Sequence, residues 1–371
     1  MKNSEGSGTP RFWSNFDWGL FGTIGLICFV GLATLYSSTY LNQRDIFIKQ
    51  IIFISVGFGI ALIGTIIDYR IFERLAYPFY ILVVALLILV TLAGKSVYGS
   101  QRWLPLGPIH LQPSELAKLA IVLVLARFYS REKVGLMHGY GFKELLPVFG
   151  LVGLPMILVF KQPDLGTALM IGFVAFTVVL FCNLRMQTLI IFSVSVLVIA
   201  PIAYKFVLKE YQRDRVRTFL DPGRDPLGDG YHSIQSMITV GSGQLMGKGY
   251  LKGTQSKLEF LPKHHTDFIF SAYAEEWGFM GSIFLISLFM ILVFLGIDIC
   301  RKSKDKFGAV LAMGALAIII WHVIVNMGME IGVLPVVGVT LPFFSYGGSS
   351  LITNMLAVGI LSSVSIRRHI F

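Results

Sequence analysis

Long apolar runs broken by short polar stretches set the rhythm of this chain. Ten runs can be marked off, roughly 18–38, 47–67, 75–93, 114–129, 144–160, 165–182, 187–207, 267–298, 307–329 and 346–366. A helix needs about 20 mostly apolar residues to cross the hydrocarbon core of a bilayer. Lipid offers no partners to free backbone groups, so spanning segments are helices or closed barrels. The pattern therefore predicts an all-α integral membrane protein with about ten transmembrane helices. The flanks agree: Trp18 and Tyr36 suit an interfacial aromatic belt, and Asp68-Tyr69-Arg70 ends the second run.

One polar stretch, roughly residues 208–265, is much longer than the others and separates the seventh and eighth runs. Residues 1–371 thus read as a single polytopic domain containing one long loop. Two stretches fit neither category. KSVYGSQRWLPLGPIHLQP (95–113) mixes Pro, Gly, Trp and apolar residues and reads as a re-entrant or interfacial loop. EIGVLPVVGVTLPFFSYGGSS (330–350) is apolar yet rich in Pro and Gly. Irregular backbone at membrane depth must be buried in protein or line a cavity.

Composition points the same way. Hydrophobic residues make up 55% and charged residues 14% of the chain, against about a quarter charged in soluble domains; the mean hydropathy is +0.72. The net charge of +10 resides in loops between apolar runs, which favours membrane orientation and an anionic substrate over nucleic acid. Fifteen Lys and Arg fall on one side in the short loops and six on the other. The richer side should be cytoplasmic, with both termini inside and the long loop outside. That loop, with Lys205 just before it, carries ten more basic residues, but long segments weigh little in this rule. The first apolar run lacks a small-residue cleavage pattern and is followed at once by further spans, so it reads as a span, not a signal peptide. Cys28, Cys182 and Cys300 all lie in or at the end of apolar runs, and an odd number so placed reads as packing.

Several residues could carry chemistry. Asp267 opens the eighth run in HHTDFIFSAYAEEWG. Either it or Thr266 could be a helix cap, but an acid at a membrane boundary facing a polar loop also suits a general base. On a helix Asp267, Ser271 and Glu275 would share one face. Lys205, Lys209, Arg213 and Arg217 recur every four residues, with Arg215 off that face; if the seventh helix continues, they form a basic ladder fit for a diphosphate or lipid head groups. Glu115 and Lys118, three apart, can pair near hydrocarbon. Asp164 reads as a first-turn acid. His322, Asn326 and Glu330 recur every four residues on the ninth run, either as inter-helix hydrogen-bonding groups or as a polar pathway. His264 and His265 beside Asp267 make a poor zinc set. The motifs name no particular cofactor, and a Mg²⁺ or Mn²⁺ bridging phosphates and Asp267 would be chemically compatible. GSGQLMGKG (241–249) and SYGGSS (345–350) are glycine-rich, yet GxxxxGK[ST], the Rossmann fingerprint, GxSxG and HExxH are all absent.

DPLGDGYHSIQSMITVGSGQLMGKGYLKGTQSKLEFLPKHHTDFIFSAYAEEWG (225–278) closely resembles the long outer loop of the SEDS proteins (shape, elongation, division and sporulation). QRWLPLGPIHLQPSELAK (101–118), QPDLGTALM (162–170) and GVLPVVGVTLPFFSYGGSS (332–350) resemble three further signatures, in the family's order over nearly the whole chain. GTQSKLEFLP and the short tails are closer to rod-elongation members than to division members. The resemblance implies ten spans with both termini inside, in a bacterial cytoplasmic (inner) membrane, with the active site on the extracytoplasmic side. It implies peptidoglycan glycosyltransfer: lipid II is polymerised onto a strand anchored on undecaprenyl diphosphate, with inversion. By the same resemblance Asp267 is the essential acid and Glu115–Lys118 a charged pair. Trp103 is an outer-loop aromatic, Arg213 and Arg215 hold phosphate, and Lys248 and His265 join the substrate-binding set. The implied partners are a class B penicillin-binding protein, other elongation-complex membrane proteins and membrane lipids. Lys263, Gln244, Thr340 and Glu330 depart from the family pattern. The competing readings are a lipid flippase, for which His322, Asn326 and Glu330 are the best argument, and a non-catalytic scaffold for the transpeptidase.

Overall fold

The computed structural model describes residues 15–40, 44–93, 95–97, 100–106, 109–132, 139–206, 208, 210–224, 228–254 and 266–368. In chain order the elements are α1 (Trp18–Thr39), α2 (Arg44–Ile66), α3 (Tyr69–Ala93), β1 (Lys95–Val97), β2 (Ser100–Leu106), β3 (Ile109–Leu111), α4 (Pro113–Arg131), α5 (Leu146–Lys161) and α6 (Leu165–Phe181). They continue with α7 (Met186–Phe206), α8 (Glu210–Leu220), α9 (Asp229–Ser242), α10 (Ile269–Arg301), α11 (Lys306–Glu330) and α12 (Gly348–Arg367). Each of the ten apolar runs is a helix, and α8 and α9 belong to the long loop.

Seven of the ten are long and apolar enough to cross a membrane unaided, and α5 and α6 are shorter apolar helices. The tenth, α4, holds Glu115 and Lys118, and its residues from Ala117 to Ala126 are all buried. It is packed by α3, α6 and α11, so protein, not lipid, surrounds its charges. The peripheral helix is α7, where Thr188 is the one buried residue. The all-α expectation holds for the membrane body. At 95–111, where an irregular loop is expected, a small antiparallel sheet in the order β1-β2-β3 forms, pairing Lys95 with Trp103 and Leu104 with Leu111. Strand pairing satisfies backbone groups that a bare loop at this depth would leave open.

Ten crossings bring both ends of the bundle to one face. Ser365 Oγ donates to Asp17 Oδ2 at 3.1 Å, and Arg368 reaches Asp17 at 3.9 Å and Asp298 at 3.1 Å. The same face carries Arg127, Arg131, Lys302, Lys306 and Arg367, with Tyr69 donating to Asp305 at 2.7 Å. This is the basic side of the charge count.

Candidate active site

On the opposite face the start of α10 is built unusually. Gly278 breaks the helix with φ 65° and ψ −160°. In an unbroken helix the Phe279 and Met280 N–H groups would bond to the carbonyls of Glu275 and Glu276. Here those carbonyls accept from Lys248 N and Gly249 N at 3.0 Å each, while Phe279 N and Met280 N donate to the carbonyls of Gln244 and Leu245 at 2.8 and 3.1 Å. The GSGQLMGKG turn is thus spliced into the helix, and these four groups freed by the kink all find partners in it. Gly247 (φ 78°) sits at the splice; a Cβ there would lie 2.1 Å from the Glu276 carbonyl oxygen, which only glycine avoids. Side chains reinforce the joint. Lys248 Nζ meets Glu275 Oε1 at 2.7 Å, and Thr254 donates to the same oxygen through N at 2.9 Å and Oγ1 at 3.0 Å. Glu275 is fully buried while the Lys248 side chain is 30% exposed.

Asp267 lies in the turn just before α10, half-buried. Its Oδ2 is 3.6 Å from the point where Gly338, at φ 73°, would carry a Cβ. The carboxylate therefore rests against the irregular segment 331–347. That segment gathers the site. Asn326 uses both amide hydrogens of Nδ2, one on the Asp267 carbonyl at 2.9 Å and one on the Val339 carbonyl at 2.8 Å. His322 Nδ1 contacts the Thr340 carbonyl at 3.1 Å, and its Nε2 meets Lys118 Nζ. A carbonyl can only accept, so Nδ1 carries the proton and Nε2 accepts from the lysine. Lys118 Nζ also donates to Glu115 Oε1 at 2.8 Å, and all three side chains are buried. The chain Glu115–Lys118–His322–Thr340 thus joins α4 and α11 to the segment beside Asp267. Gln50 donates to the Ser345 carbonyl at 3.0 Å, so side chains from several helices pair this irregular backbone, as its depth demands.

The N-cap position of α10 is held by neither Thr266 nor Asp267. The N-cap residue is Phe268, with no side-chain cap. A carboxylate from another helix takes the role: Glu330 Oε2 accepts the Ser271 N–H at 2.5 Å and lies 2.6 Å from Ser271 Oγ. Ser271 and Glu275, expected on one face with Asp267, instead reach α11 and the spliced turn.

The basic ladder is broken. α7 ends at Phe206 and α8 begins at Glu210, with Leu208 N bonded back to the Ala203 carbonyl at 2.9 Å; Lys209 lies outside the described residues. Arg213 pairs with Glu210 at 3.5 Å, and Arg217 pairs with Glu210 at 2.8 Å and Asp214 at 3.0 Å. Glu210 first, then Tyr204 and Asp214, raise the pKa of Arg217 above the usual guanidinium value. Arg215 lines a small cleft together with Thr218, Phe219, Ser233 and Val336. Val336 belongs to the segment that touches Asp267 two residues on. The structure therefore sets Asp267 and Arg215 against one segment, ties Lys118 and Glu115 to it through His322, and leaves Arg213 on α8 with Glu210.

A family profile described as cell cycle protein, covering FtsW, RodA and SpoVE, matches residues 14–370. The chain belongs to this family. It is 42% identical over 315 residues to the peptidoglycan glycosyltransferase MrdB of Escherichia coli K12, covering 85% of this chain and 84% of that one. Among solved structures it matches a chain from a peptidoglycan synthase complex described as coordinating polymerization and crosslinking, with TM-score 0.82, 32% identity and coverage of 95% and 98%. It also matches the rod shape determining protein RodA of Thermus thermophilus with TM-score 0.72, 28% identity and coverage of 96% and 99%.

Within this SEDS fold the remaining candidates take their places. Trp103 is half-buried on β2, next to Arg102, which joins Asp164 at 3.6 Å. Asp164 Oδ1 caps α6 by accepting Thr167 N at 3.1 Å, and Gln112 donates to its other oxygen at 3.3 Å. Lys248 pairs with Glu275. His265, like His264 and Lys263, lies outside the described residues. Among the described residues no three His, Cys, Asp or Glu side chains gather as a metal-ligand set. Gln244, where the family commonly has glycine, adopts φ 51° at the splice. The role of Glu330 as a cap for another helix could not be read from sequence, which offered an acid that departs from the family pattern and a four-residue spacing from His322 and Asn326.

Proposed function

We propose that this chain is a peptidoglycan glycosyltransferase of cell elongation that polymerises lipid II, with Asp267 as general base. The acceptor sugar hydroxyl attacks the anomeric carbon of a strand held on undecaprenyl diphosphate. Asp267 takes the hydroxyl proton, the C–O bond to the diphosphate breaks, and the configuration inverts. The leaving group is already activated, so the protein need supply only a positioned base and cations facing the developing charge. Arg215 is the cation assigned to the diphosphate, with Arg213 beside it on α8. Glu115 and Lys118 hold the segment against which Asp267 rests. The observation that carries this reading is the shared segment: Gly338 borders Asp267 and Val336 borders the Arg215 cleft. The site faces the extracytoplasmic side of the bacterial inner membrane, and a class B penicillin-binding protein is the partner that crosslinks the product. The relatives' names and the synthase-complex match support both the chemistry and the partner.

The flippase alternative rested on His322, Asn326 and Glu330. All three side chains hydrogen-bond to Thr340, Val339, Asp267 or Ser271, which suits bracing better than transport. The test is polymerisation of lipid II by purified protein in liposomes with its transpeptidase, comparing wild type with Asp267→Asn. Glycan strands from wild type alone are expected. Equal strand output from the variant would remove Asp267 from the mechanism.

A further inference from the structure

Glu330 is fully buried at the end of α11, and its polar neighbours form a closed ring. Glu330 Oε2 lies 2.6 Å from Ser271 Oγ, Ser271 Oγ lies 2.7 Å from Ser236 Oγ, and Ser236 Oγ lies 2.8 Å from the backbone carbonyl oxygen of Glu330. Each distance is that of an O–H···O hydrogen bond. Three such contacts need three hydrogens. The two serine hydroxyls supply two, and a carbonyl supplies none. With an ionised carboxylate, one contact in the ring would bring two oxygens within hydrogen-bond distance with nothing between them.

We infer that Glu330 is a carboxylic acid whose own proton closes this ring, and that it acts as a positioning residue for Asp267. The order is then unique: the Glu330 O–H donates to Ser271 Oγ, Ser271 to Ser236 Oγ, and Ser236 to the Glu330 carbonyl. The same Oε2 accepts the Ser271 N–H at 2.5 Å, capping α10 four residues after Asp267. α9, α10 and α11 are thereby fastened at one point. Asn326, one helical turn earlier, fastens the Asp267 carbonyl itself. Among the described residues, the charged or titratable groups near the ring are Asp267 at the start of α10, which is within electrostatic range of Glu330, and His232 of α9, whose ring lies 6.4 Å from that of Phe268. A neutral Glu330 spares the base a second negative charge beside it.

The positioning role rests on Asp267 being the base; the protonation state does not, and the test separates them. Infrared difference spectroscopy of full-length protein at neutral pH should show the C=O band of a protonated carboxylic acid in wild type that Glu330→Gln removes. In the lipid II assay Glu330→Gln should keep kcat within about threefold, with the acid limb of its pH profile unmoved. Glu330→Ala should lower kcat about tenfold with little change in KM, as expected when a reacting group loses its alignment. Absence of the acid band would overturn the inference. So would an acid limb moved to lower pH in Glu330→Gln, which would mean that a negative charge beside Asp267 had been removed. Should Glu330→Ala fail to fold, the glutamine variant still decides. Continued polymerisation by Asp267→Asn would refute the base while leaving the band assignment standing.

Discussion

Lys118 offers a test of how the site is held together. Its side chain is 1% exposed, and its Nζ serves Glu115 and His322 at once. Replacing it by Met preserves volume and removes the cation that serves both neighbours. Breaking a buried ion pair by deleting one partner costs about 3–5 kcal/mol, because an uncompensated charge stays buried, whereas replacing both partners can be close to neutral. His322 Nε2 also loses its donor, and a stranded buried acceptor costs about 1–3 kcal/mol. Lys118→Met should therefore destabilise by at least about 3 kcal/mol, and Glu115→Gln by a similar amount. In Glu115→Gln/Lys118→Met the two losses should fail to add, with a coupling energy of about 2 kcal/mol or more, near the top of the usual range for contacting residues. Unfolding in mixed micelles by SDS titration, followed by tryptophan fluorescence, measures all four corners of the cycle. Additivity within about 0.5 kcal/mol, the behaviour of independent sites, would refute the argument that these groups form one buried charged unit.

Two further predictions address the splice and the cations. Gly247→Ala would place a Cβ 2.1 Å from a backbone carbonyl oxygen, whereas at Gly249 the nearest atom is the flexible Lys252 side chain at 3.3 Å; thermal unfolding should show Gly247→Ala to be the more destabilising by about 2 kcal/mol or more, and equal losses would argue against the splice as the joint. Arg217 is matched by Glu210 and Asp214 while Arg215 faces the cleft, so Arg215→Ala should raise the KM for lipid II severalfold and Arg217→Ala less than about twofold; the reverse order in steady-state kinetics would reassign the phosphate contact.

What could be read from the sequence was local. Ten helices follow from ten apolar runs and the Glu115–Lys118 pair from a spacing of three, while Asp164, expected in a first turn, stands one place earlier as the cap of α6. The contacts that define the site are not local. Lys118 and His322 are 204 residues apart, and Ser271 and Glu330 are 59 apart, so spacing could not pair them. The four-residue ladder through Lys205 and Arg213 failed because its premise, a continuous helix, is broken around Leu208. The Lys248–Glu275 pair was hidden because the glycine turn that carries Lys248 inserts itself into another helix. The stretch 330–350 was rightly suspected from its prolines and glycines, but composition could not show that Asp267, Asn326, His322 and Arg215 all meet it.

The kink at Gly278 explains how one helix can serve two environments. Beyond it α10 is a membrane span with lipid-facing Phe284, Ile291 and Phe294 exposed; before it, nine residues belong to the site. A kink in hydrocarbon would ordinarily leave two donors and two acceptors unpaired, each costing several kcal/mol. Here the turn at 244–249 supplies two donors and two acceptors in matching order, so the change of direction leaves none of the four stranded. The outer piece is then anchored twice, by Lys248 and Thr254 on Glu275 and by Glu330 on Ser271. Asp267, just before this piece, is thereby positioned through its backbone. Substitutions at these anchors should therefore act through the geometry of the base, changing kcat ahead of KM, whereas substitutions at Arg215 should act on substrate binding.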